Sequence, residues 1–121
     1  MSSASSNTPK RGEIWVVDLN PTRGAEIQKQ RPAIVVSSDA AGRLPIKLVA
    51  PLTGWKPDFS SCPWHVRVVP DGLNGLEKES SADVLQLRGV DIRRFIRYVG
   101  RVSPAAMEEV AAAIAALVEY Q

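Results

Sequence analysis

Cysteine and histidine are almost missing from this 121-residue chain, which holds one of each, Cys62 and His65. A single cysteine excludes an internal disulfide and suits a reducing compartment. One Cys and one His are also too few for a Cys/His zinc site. No apolar run approaches the ~20 residues that a membrane helix needs, so no membrane partner is expected and a cytoplasmic location is. The opening, Met1 to Pro9, has no basic n-region and no apolar core, and residues 1–10 read as a disordered polar tail rather than a signal peptide. P-loop, GxSxG, HExxH and CxxC motifs are all missing, which removes the common NTPase, serine-hydrolase, zincin and thiol-redox readings. A charge excess is missing too. Fifteen Lys and Arg stand against 13 Asp and Glu, a net +2, too little to mark a general nucleic-acid binder.

What is present is one domain's worth of ordinary globular composition, 45% hydrophobic and 23% charged, assigned to residues 11–121. The weak net charge hides an asymmetry. Arg88, Arg93, Arg94, Arg97 and Arg101 with one acid, Asp91, give that stretch +4 and leave −2 for the rest. Such a cluster can attract phosphates by local field, or can simply be solvated surface.

Short β-type runs dominate. Strands are predicted over 12–19, 32–37, 46–52 and 64–69, within 80–90, and over 97–102. Turn signals stand at 38–42, 70–72 and 74–75. Long polar loops span 20–31 and 53–63; loops of about a dozen residues in a small domain are usually functional or mobile. Asp91 reads as the N-cap of one or two helical turns over 91–96. Ser103 as N-cap, Pro104 at N1 and a stripe of Met107, Val110, Ala111, Ile114, Leu117 and Val118 predict a C-terminal helix. The pattern is mainly β (α+β): a small, bent antiparallel barrel or sandwich with one packed helix.

Few residues suggest chemistry. Cys62 lacks the electropositive neighbours that activate a thiol. His65, in an alternating strand, reads first as structural and second as a minor catalytic candidate. The two long loops are more informative. Arg31 precedes the strand that starts at Pro32, and Thr53 follows the strand that ends at Leu52. If those strands are antiparallel neighbours, a guanidinium and a hydroxyl share one sheet edge, beside a loop that carries Glu26. This set suits a phosphodiester: arginine pairs with phosphate oxygens, threonine donates to one, and a carboxylate accepts a proton. The plainer reading makes Arg31 and Glu26 an ion pair and Thr53 a turn residue. Trp55 divides in the same way, between an exposed stacking surface and a buried lid, whereas Trp15 and Trp64 read as core.

The run Gly12-Glu-Ile-Trp-Val-Val-Asp-Leu-Asn-Pro-Thr-Arg-Gly-Ala-Glu26, then Arg31-Pro-Ala-Ile-Val-Val-Ser37, resembles the opening of the MazF/PemK toxins. Val49-Ala-Pro-Leu-Thr53 and Leu85-Gln-Leu-Arg-Gly-Val-Asp91 resemble two later segments of that family, in the same order, and the similarity spans about residues 11–120. The resemblance implies an SH3-like barrel of the plasmid-maintenance toxin type and a homodimer. It implies a sequence-specific endoribonuclease that cleaves single-stranded RNA through the 2′-OH, without metal or other cofactor, and is neutralised by a cognate MazE-like antitoxin. Carried over residue by residue, it makes Arg31, Thr53 and Glu26 catalytic. The RNA-binding set is Arg23, Lys29, Trp55, Lys56 and Gln86. Two departures stand out: Lys29-Gln30 where many members have small residues or glycine, and Leu85 where an acid often precedes the glutamine. The alternatives are a toxin of the same fold that inhibits DNA gyrase and a non-catalytic RNA-binding barrel.

Overall fold

Seven strands and one helix follow one another along the chain: β1 (Glu13–Asp18), β2 (Gln30–Val35), β3 (Ile46–Gly54), β4 (His65–Val68), β5 (Ser80–Asp83), β6 (Arg88–Asp91), β7 (Phe95–Arg101) and α1 (Pro104–Leu117). The computed structural model describes residues 8–41 and 44–120. All strand pairs are antiparallel, in the order β4-β5-β3-β2-β1-β7, with β6 also on β3. β3 is the organising strand. Its first residues pair with β6, its middle with β2 and its last three with β5, so the sheet bends around it. The mainly-β architecture with one C-terminal helix expected from the sequence is observed.

The apolar runs of β1, β2 and β3 are continuous because the sheet is covered on both faces. Alternate side chains point to opposite sides of a strand. Ile14, Ile34, Ala50 and Leu52 enter one core with Val66, Val68, Met107 and Val110. Their neighbours Trp15, Val17, Ala33, Val35 and Val49 enter a second core with Leu19 and Val90.

The α1 start is as expected. Ser103 Oγ accepts from Ala106 N–H at 3.1 Å, with Pro104 in the first turn. Its apolar stripe is narrower than expected: Met107 and Val110 are buried and Ile114 half-buried, while Ala111, Leu117 and Val118 are exposed. The helix packs on the core through Ala106, Met107, Val110, Ala113 and Ile114, while Leu117 and Val118 at its end are exposed.

Four other expectations change. The single strand placed within 80–90 is two, β5 and β6, separated by a 3₁₀ turn at Val84–Gln86 that Asp83 caps through Leu85 N–H. The helical turns expected at 91–96 shrink to Ile92–Arg94, with Asp91 as the cap, and Phe95 already begins β7. β3 continues through Gly54, so Thr53 is a strand residue rather than the first of a loop. Most of the expected tail lies outside the described residues, as does Gly42 of the expected 38–42 turn, but Pro9 is buried and Lys10 N–H donates to Glu13 Oε1 at 2.9 Å, so the folded part starts before residue 11.

Candidate active site

The β2–β3 register runs Ala33↔Pro51, Ile34↔Ala50, Val35↔Val49. Continued by two residues, it sets Arg31 opposite Thr53. Both line one open cavity of about 570 Å³ together with Trp55, Lys56, Lys78 and His65. Among the described residues the half-buried Arg31 side chain makes one hydrogen bond, Nε to the Gln28 carbonyl at 3.4 Å. Among the described residues the salt bridges are Arg67–Glu79 and Arg93–Asp91. Arg31 therefore has no acidic partner there, and the ion-pair reading of Arg31 with Glu26 does not hold. Asp83 is the one acid in the lining, so Arg31 with Lys56 and Lys78 leaves the cavity cationic, which favours an anionic ligand.

Glu26 lies elsewhere. Its Oε1 accepts from Arg23 N–H at 2.6 Å, and it borders a neighbouring depression of about 540 Å³ with Pro21, Gln86 and Arg88. Ile27 borders both hollows. The structure thus brings Arg31, Thr53, Trp55 and Lys56 together, and puts Glu26 and Gln86 together one step away. Arg23 and Lys29 line neither hollow.

The 20–29 loop owes its shape to distant side chains. Gln86 uses both ends of its amide on the loop backbone: Oε1 accepts from Ile27 N–H at 2.5 Å, and Nε2 donates to Ala25 C=O at 3.2 Å. Arg88 donates to Leu19 C=O at 3.0 Å, and Arg94 to the carbonyls of Asp18 and Asn20. Two arginines of the basic stretch are thereby structural. Lys29 stands at φ 71° and closes the loop through Leu19 N–H to Lys29 C=O, 3.0 Å, and Lys29 N–H to Asn20 Oδ1, 3.1 Å. That left-handed backbone favours glycine, which is why small residues suit the position. A third arginine, Arg93, hydrogen-bonds Asp91; that bond holds the Asp91 carboxyl below its ordinary range and raises the Arg93 guanidinium above its own.

The sequence reading did not gather Lys78, Asp83, Phe59 and His65 at this cavity. β4 and β5 form a hairpin, with His65 opposite Asp83, and fold it against the end of β3. The 3₁₀ turn Pro57–Ser61 inside the expected 53–63 loop adds Phe59, whose ring stacks on His65 at 3.6 Å and meets Trp55 edge-on at 5.7 Å. Trp55 is half-buried, with the Arg67 guanidinium 5.2 Å from its ring. The alternation of the His65–Val68 strand could have signalled that His65 and Arg67 share its outer face. Among the described residues no three His, Cys, Asp or Glu side chains gather as a metal site would require.

The family model for the PemK-like, MazF-like toxin of type II toxin–antitoxin systems matches residues 10–118. Endoribonuclease MazF9 of Mycobacterium tuberculosis is 36% identical over 104 residues, 83% of this chain and 87% of that protein. The crystal structure of MazF from Deinococcus radiodurans superposes with a TM-score of 0.76 at 23% identity, over 92% of this chain and 96% of that one. An endoribonuclease in complex with its cognate antitoxin, from a mycobacterial species, gives 0.74 at 20% identity over 94% and 98%. The gyrase alternative finds no support in these relatives. With 109 consecutive residues matched and the strand order, the helix and the Arg31–Thr53 edge in place, this chain belongs to the PemK/MazF family of type II toxins.

Proposed function

We propose that the chain is a sequence-specific endoribonuclease that cleaves single-stranded RNA by attack of the 2′-OH on the adjacent phosphate, without a metal ion. The observation that carries this reading is the Arg31–Thr53 pair on neighbouring strands, in a cavity whose lysines leave it cationic. RNA brings its own nucleophile, so the protein has to orient the phosphate and stabilise the charge that grows on it. Arg31 holds the phosphate and the extra negative charge of the phosphorane. Thr53 donates to a non-bridging oxygen. Products are a 2′,3′-cyclic phosphate and a 5′-OH. Glu26 contributes by shaping the loop through Arg23 N–H, and the depression beside it offers space for a neighbouring base; Trp55, Lys56 and Lys78 flank the strand on the other side.

The partners follow from the same surface. An acidic antitoxin segment fits the unpaired cations of the cavity and blocks it. The proposed homodimer face is the β3–β6 edge, where Ile46, Leu48 and Ile92 are exposed and Ile92 N–H bonds Pro45 C=O.

The test is a long RNA incubated with the purified chain in EDTA. Discrete cuts that vanish when the scissile nucleotide is 2′-deoxy are the expected outcome. Cuts that persist at the 2′-deoxy position would sink the mechanism.

A further inference from the structure

The cavity needs a group that takes the proton from the 2′-OH, and Glu26 does not reach into it. His65 does. It lines the same hollow as Arg31 and Thr53, and imidazole is the side chain whose ordinary titration lies nearest neutrality. Its ring is also fixed. One face stacks on Phe59, with centroids 3.6 Å apart and planes 4° from parallel. One edge is tied down, with Nδ1 2.8 Å from Oγ of the fully buried Ser81 on β5. Nε2 has no hydrogen-bond partner among the described residues.

We infer that His65, held by Ser81 and Phe59, is the general base of RNA cleavage. The assignment rests on the nuclease reading given above. A base at Nε2 needs the proton on Nδ1, and Ser81 Oγ is placed to accept that N–H; the bond survives when Nε2 takes a second proton. The step then balances. The 2′-OH gives its proton to Nε2 as the 2′-oxygen bonds to phosphorus. The P–O5′ bond breaks, and water protonates the departing 5′-oxygen. The resulting hydroxide removes the proton from the imidazolium. In-line attack puts the leaving oxygen on the far side of phosphorus from the attacking one, so the leaving-group proton does not come from His65. The charges around the ring are Arg31 from β2, Lys56 beyond β3, Lys78 before β5, Asp83 opposite it on β5, and the Arg67–Glu79 pair beside it.

This base predicts a limb of kcat/KM that rises with pH and depends on His65. His65→Gln should remove that limb and lower kcat by about 10²-fold or more, with KM little changed. A 5′-bridging phosphorothiolate, whose sulfur leaves without a proton, should not rescue the variant. Because His65 is the chain's one histidine, diethyl pyrocarbonate on untagged wild type gives a second measurement that needs no variant. Inactivation should be reversed by hydroxylamine and slowed by 2′-deoxy RNA, and its pH midpoint should match the limb of kcat/KM. A folded H65Q that keeps the rate and the limb overturns the inference. So does rescue by the phosphorothiolate, or, if H65Q fails to fold, a mismatch between the two midpoints. Wild type that leaves RNA intact overturns the nuclease reading itself.

Discussion

Arg31 and Thr53 were legible as a pair because their positions depend on two strands consecutive in sequence that pair antiparallel. A strand that begins at one residue and an antiparallel neighbour that ends at another set the edge without further information. His65, Lys78 and Asp83 were not legible as a group, since their meeting depends on how the β4–β5 hairpin lands on the last three residues of β3. No local pattern encodes that landing. Among the described residues Arg31 makes no ion pair, so Arg31→Ala should slow cleavage by about 10²–10³-fold while leaving the melting temperature nearly unchanged. Arg31→Lys should recover only part of the rate, since an ammonium keeps the charge and loses the planar fork. Steady-state kinetics with a short fluorogenic RNA and a thermal melt check both.

At the scale of elements, the sequence showed where turns are and missed what holds them. The loop after β1 was expected from Pro21 and Gly24, but its clamp, Gln86, looked like an RNA contact. Gln86→Ala removes two hydrogen bonds to loop backbone. It should weaken RNA binding and speed proteolysis within 20–29, and a variant with weaker binding but an unchanged digestion pattern would return Gln86 to the direct contacts. Lys29→Gly should be neutral or stabilising, by up to about 1 kcal/mol, since it relieves a left-handed backbone. Gly75→Ala should do the opposite. Its φ is +68°, and a Cβ there would stand 2.2 Å from the Val99 carbonyl oxygen. A fall in melting temperature by several degrees is expected, and chemical denaturation checks it. The Asp91 cap adds a small pH effect. With its carboxyl depressed by Arg93, its contribution is complete above the ordinary aspartate range and fades as pH falls through the lower folded value.

For the whole molecule, composition gave the right class and the wrong emphasis. The +4 stretch drew attention as a phosphate-binding surface, yet Arg88 and Arg94 serve backbone carbonyls and Arg93 serves Asp91. The cations that make the cavity, Arg31, Lys56 and Lys78, are scattered through the chain and no charge run announces them. The mainly-β class was legible because strands covered on both faces read as continuous apolar runs. The bend of the sheet was not, since one strand pairs with three partners and only the folded register shows it. If the β3–β6 edge holds the second copy, Ile46→Asp should shift the chain from dimer to monomer in light scattering. An unchanged dimer would move the interface to another face.

The long-range bonds that clamp the 20–29 loop from Gln86, Arg88 and Arg94 join residues 59 to 76 positions apart. On a ribosome, the chain through Thr53 emerges long before Gln86, Arg88 and Arg94 do. A nascent fragment that ends before Gln86 lacks these clamps, however much of β1 to β3 has already paired. The final shape of that loop is thus set by side chains from the last third of the chain.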